Sequence, residues 1–74
     1  MAGFMFKIVF PGLDGAPLAT NMVMTIGRDE AAARAVLDEF MNLQGAEKVT
    51  SMPVSDDLVE FMDLHDGDAH LWKR

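Results

Sequence analysis

The sequence predicts a small α+β domain, a single antiparallel sheet with one helix packed on one face, in the order β-β-α-β-β-β. Three observations predict it. Apolar residues alternate with a period of two near the start of the chain, they recur at helical spacing in the middle, and an Asp-Gly pair sits between two short apolar runs near the end. The 74 residues suffice for one domain, residues 1–74. A chain this short buries only about 60% of the surface its unfolded form exposes, so its stability should be modest.

Phe4, Phe6, Ile8 and Phe10 alternate with Met5, Lys7 and Val9, which reads as a strand with its Phe side in the core. Pro11-Gly12-Leu13-Asp14-Gly15-Ala16-Pro17 is dense in breakers and reads as a loop. Leu18 to Ile26 alternates again, with Met22, Met24 and Ile26 on one face and Asn21, Val23 and Thr25 on the other, so the two strands are expected to pair.

The helix is expected over Asp29 to Gln44. Ala33, Val36, Leu37, Phe40 and Leu43 make one apolar stripe, and Asp29 and Glu30 suit the dipole of the first turn. Glu30 with Arg34, and Arg34 with Asp38, are spaced to pair, and Gly45 reads as the stop. Glu47 to Val54 reads as a third strand, ended by Pro53 or by Ser55-Asp56-Asp57.

The remaining segment has two readings. Asp66-Gly67 suits a type I′ turn, which would pair residues 58–64 with residues 69–74 as a hairpin. In that register Asp63 faces His70, Met62 faces Leu71, Phe61 faces Trp72 and Glu60 faces Lys73, so opposed residues match in chemistry. Leu58, Met62, Leu64, Ala69 and Leu71 then point to the core, while Val59, Phe61, Asp63, His65, Asp68, His70 and Trp72 share the other face. Met5, Val9 and Val23 are expected on that same uncovered face. The competing reading makes residues 56–65 a second short helix, with Ser55 as its cap. The hairpin is favoured.

Composition narrows the function classes. The formal net charge is −6, which argues against direct binding to a nucleic-acid backbone. There is no cysteine, so disulfides and thiolate metal sites are excluded, and a reducing compartment is favoured. No apolar run is long enough for a membrane helix, and MAGFMFKIVF lacks the length and basic lead of a signal peptide. Gly3 is out of place for myristoylation because Ala2 follows the initiator Met. A cytoplasmic protein is expected.

No motif points to catalysis. The hydroxyl residues Thr20, Thr25, Thr50, Ser51 and Ser55 stand in no elbow or triad context, and Gly12-Leu13-Asp14-Gly15 lacks the Lys-Ser or Lys-Thr of a phosphate loop. The chain is not expected to be an enzyme or to hold a cofactor. His65 and His70 are five apart, which does not match a helical zinc pair. In the hairpin, Asp63, His65, Asp68 and His70 would share a face and can be imagined around a divalent ion. Cross-strand charge pairs on a solvated turn are the plainer reading.

The strongest functional signal is acidic. Asp56, Asp57, Glu60, Asp63, Asp66 and Asp68 put six carboxylates into thirteen residues. A solvated surface explains them, and so does an electrostatic footprint for a basic partner. Phe61 and Trp72 lie within or beside the cluster, and an aromatic pair rimmed by acids is built like an interface hot spot. In size, charge and coarse element order the chain resembles small acidic phage-type inhibitors such as anti-CRISPR proteins. That resemblance implies a compact one-sheet domain that blocks a basic nucleic-acid-binding surface. The expected function is therefore a non-enzymatic interaction or inhibitor protein that binds a basic protein, with Asp56, Asp57, Glu60, Phe61, Asp63, Asp66, Asp68 and Trp72 in contact. The alternative is a self-associating assembly module, a homodimer through the uncovered sheet face.

Overall fold

The computed structural model describes residues 2–12 and 17–73. It is an α+β fold, as the sequence predicts, but the order is β-β-α-β-α-β. The elements are β1 (Ala2–Pro11), β2 (Pro17–Gly27), α1 (Glu30–Phe40), β3 (Lys48–Val54), α2 (Asp56–Phe61) and β4 (Ala69–Lys73). The four strands form one antiparallel sheet in the order β3-β1-β2-β4. Residues 13–16, most of the expected breaker loop, lie outside the described residues.

The register separates two faces. Phe4, Phe6 and Ile8 stand opposite Thr25, Val23 and Asn21 on β2, and opposite Pro53, Ser51 and Val49 on β3. Directly opposed residues in an antiparallel pair share a face, so Val23 belongs to the phenylalanine face. The expected grouping of Val23 with Met5 is corrected by this register: Met5 stands opposite Met24, and Met24 and Ile26 share its face.

Helix α1 covers the phenylalanine face. Ala33 and Leu37 are fully buried with Phe6, Ile8 and Val23. Asp29 caps the helix, accepting the Ala32 N–H on its side chain at 2.9 Å. The buried Thr25 hydroxyl donates to the Ala33 carbonyl at 2.8 Å, which ties sheet to helix. The helix ends at Phe40, four residues before the expected Gln44, because the Asn42 side chain accepts the Gln44 N–H at 2.9 Å and holds the chain in a turn. Gly45 therefore does not stop the helix. At φ +87° it takes the left-handed position in the turn closed by Ala46 N–H donating to the Leu43 carbonyl at 3.0 Å. Arg34 pairs with Asp38 at 3.3 Å, while Glu30 accepts the Ser51 hydroxyl from β3.

Residues 58–64 are not a strand, and the hairpin does not form. Ser55 caps α2, accepting the Leu58 N–H at 3.2 Å, as the alternative helical reading requires. Only Gly67 of the Asp-Gly pair has positive φ, at +88°, so the turn carries the φ signs of type II and not of type I′. Strand β4 joins the free edge of β2 instead, entered by Gly67 N–H donating to the Ile26 carbonyl at 2.9 Å and Ile26 N–H to the Asp68 carbonyl at 3.0 Å. The physical reason is the second face. Met5, Met24 and Ile26 make an apolar surface that a flat hairpin would leave in water, and α2 covers it with Val59, Leu58 and Met62. Val59, expected to face away from the core, is only 4% exposed.

Two glycines on adjacent strands seat the two helices. Gly3 and Gly27 occupy neighbouring rungs of the β1–β2 ladder. A Cβ on Gly3 would stand 2.6 Å from Val59 Cγ2 of α2, and one on Gly27 would stand 2.5 Å from the Ala33 backbone nitrogen of α1. Each helix is admitted to the sheet where a side chain is missing.

Candidate acidic interaction surface

Helix α2 positions most of the predicted contact residues. Val59 turns into the core, so Asp57, Glu60 and Phe61 are turned to solvent, with Asp56 in the first turn beside Asp57. The two aspartates complement the positive end of the helix dipole. Phe61 is 87% exposed. A side chain of that size so far out of the core is the anomaly of this surface, because leaving it in water forgoes about 1.5–3 kcal/mol of burial.

Asp63 follows in the left-handed conformation, φ +55°. Asp63 N–H donates to the Glu60 carbonyl at 3.0 Å and Leu64 N–H to the Val59 carbonyl at 3.1 Å. These are the two bonds of a Schellman cap, with Asp63 where glycine is usual. Leu64 packs back onto the Val59 cluster. The strained turn points the Asp63 carboxylate outward, 92% exposed.

Asp68 has an internal role. Its carboxylate accepts the His65 backbone N–H at 2.7 Å while its own N–H donates to the His65 carbonyl at 2.9 Å. The two bonds close the turn that carries Asp66 and Gly67 and launches β4. The His65 ring lies 3.6 Å from Asp63 and 3.7 Å from Asp68, and its side chain is mostly exposed. Pairs at such distances in open solvent contribute about 0–1 kcal/mol. Asp56, Val59, Glu60, Asp63, Leu64 and His65 line a concavity of about 320 Å³, with an acidic rim over an apolar floor.

His70 and Trp72 belong to β4, not to α2 or the turn after it. His70 is opposite Met24. Trp72 is the extra residue of a β-bulge, because Leu71 pairs with Val23 and Lys73 with Met22. The two rings meet edge to face at 6.0 Å, and Trp72 is 48% exposed. The facing of Phe61 by Trp72 and of Asp63 by His70 depended on the hairpin and falls with it. Among the described residues no three His, Asp or Glu side chains converge as a metal-ligand set, and no helix is long and apolar enough to cross a membrane.

One feature of the surface escapes a reading from sequence. Beyond α2 the methionine face continues through Lys7, Met22 and Thr50, then Val9, Thr20 and Lys48. It carries Lys7 and Lys48 in a chain whose net charge is −6. The alternation of Lys7 with Met5 and Val9 held the signal, but only the strand register brings Lys48 beside it. The chain matches no family model, no curated protein and no solved structure.

Proposed function

We propose that the protein is a non-enzymatic, cytoplasmic interaction protein that uses α2 and the turn after it to bind a basic protein surface. The partner in this reading is a nucleic-acid-binding protein, and the chain acts as an inhibitor that competes for its basic site. The observation that carries the reading is Phe61, 87% exposed with Asp57, Glu60 and Asp63 about it. An aromatic anchor with an anionic rim suits a partner whose pocket is apolar and whose surround is cationic. Opposite charge then speeds encounter, and the anchor sets the lifetime of the complex.

The test is capture from cell lysate with the tagged protein at low and moderate salt, followed by mass spectrometry. The expected outcome is a nucleic-acid-binding protein that is lost as salt rises, and lost again with Phe61→Ala or with the triple variant Asp57→Asn, Glu60→Gln, Asp63→Asn. Asparagine tolerates the left-handed backbone at position 63, so the triple variant removes charge and keeps the fold. A partner held equally well by both variants would reject the site, and recovery of the bait alone would reject the reading.

A further inference from the structure

We infer that the uncovered half of the methionine face is the docking surface for α2 of a second copy of this chain, and that the result is a closed two-fold dimer. The inference rests on α2 being a contact surface and names a partner for it.

The cover on this face is incomplete by length. Six helical residues span about 9 Å, while a ten-residue strand runs about 34 Å. Helix α2 therefore caps Gly3, Met5, Met24 and Ile26, and leaves the rungs that follow without a helix. Where the cap ends, Met5, Lys7, Met22, Thr50, Ser51 and Met52 line a groove of about 220 Å³, and Met52 is 54% exposed. Thioether walls adapt to shape and favour aromatic partners.

Charge selects the occupant. The described positions of the open half include Lys7 and Lys48 and no Asp or Glu, in a chain whose net charge is −6. Helix α2 and the residue pair after it carry Asp56, Asp57, Glu60 and Asp63 with no Lys or Arg. One molecule thus holds an acidic knob tipped by Phe61 and a basic groove walled by methionines. Both belong to the same side of the sheet, so a two-fold axis lets each copy insert its knob into the other's groove at once. That arrangement closes on itself, whereas knob and groove on opposite sides would build a filament. A standard interface removes roughly 800 Å² per partner, about a sixth of the 4948 Å² surface of this chain.

Sedimentation of the purified full chain over a range of concentration and salt tests the inference. A dimer that dissociates as salt rises is expected. Phe61→Ala and Lys7→Glu, both at exposed positions, should each raise the dimer dissociation constant by about tenfold or more. Mixing the two variants should restore association, because the mixed pair keeps one intact knob and groove while each variant alone keeps none. A monomer at every concentration, a dimer indifferent to both variants, or variants that fail to complement would overturn the inference. Monomers that bind a single-stranded oligonucleotide through Lys7 and Lys48 would also overturn it, and would reassign the face. A monomer that still captures a basic partner from lysate sinks the dimer alone; a dimer that captures none sinks the proposed function alone.

Discussion

The two faces of the sheet are built from similar amounts of apolar sequence and finished differently. On the phenylalanine face an eleven-residue helix lies over Phe6, Ile8 and Val23 and buries Ala33 and Leu37 completely. On the methionine face a six-residue helix buries Val59 and leaves Lys7, Thr50 and Met52 exposed. The difference teaches where stability and contact are divided in a domain this small. The covered face holds the fold together, and the half-covered face leaves apolar and charged groups free to meet another molecule.

The sharpest way to break the comparison is to remove a core side chain from each face. Leu37→Ala should cost about 2–5 kcal/mol, a large share of the roughly 4–11 kcal/mol expected for a domain of this length. Chemical denaturation should show a partly unfolded population even without denaturant. Val59→Ala should cost less, about 1–3 kcal/mol, with a clear midpoint shift and a folded baseline. Equal costs would mean that the two helices contribute alike.

The glycine seats come next. Gly27→Ala drives a methyl into the backbone of α1, which cannot yield without moving the helix, and should cost about 1–3 kcal/mol. Gly3→Ala meets the Val59 side chain instead and should fall at the lower end of that range, because α2 can shift outward. Thermal melts of the pair would rank them. Smaller again is Thr25→Val, which removes the hydroxyl that joins sheet and α1, at about 0.5–1.5 kcal/mol by denaturant midpoint.

The smallest expected effect has the opposite sign. Asp63→Gly relieves a left-handed aspartate at the Schellman position and should stabilise by about 0.5–1 kcal/mol. Amide exchange would locate the gain in α2, which should exchange faster than α1 in the parent protein because so little of it is buried. A destabilised Asp63→Gly would show that the carboxylate makes a contact worth more than the strain.

The alternations around Phe6 and Met24 and the stripe through Ala33 and Leu37 were legible because each follows the period of its own element. The acidic residues of the candidate surface were legible as a list. Their arrangement was not. Asp-Gly reads as a hairpin turn by local preference, and the pairing it offered was chemically matched at nearly every rung. What defeated it was the unpaired edge of β2 and the joining of Met5, Met24 and Ile26 into one apolar face that needed a cover, which follows from strand register and not from a local window. Asp68 shows the same limit: it counts as one more acid in sequence, yet its carboxylate closes a turn.

By itself the sequence determined an acidic, cysteine-free chain of two amphipathic strands and one amphipathic helix, because periodicity and charge are properties of neighbours along the chain. Only the tertiary structure decided that residues 56–61 are a helix, that Val23 and Met5 lie on opposite faces, and that Lys7 and Lys48 share an open patch. Those outcomes depend on which apolar surfaces must be covered and which strand edges must be paired. Both are settled by residues distant in sequence, so no short stretch of the chain encodes them.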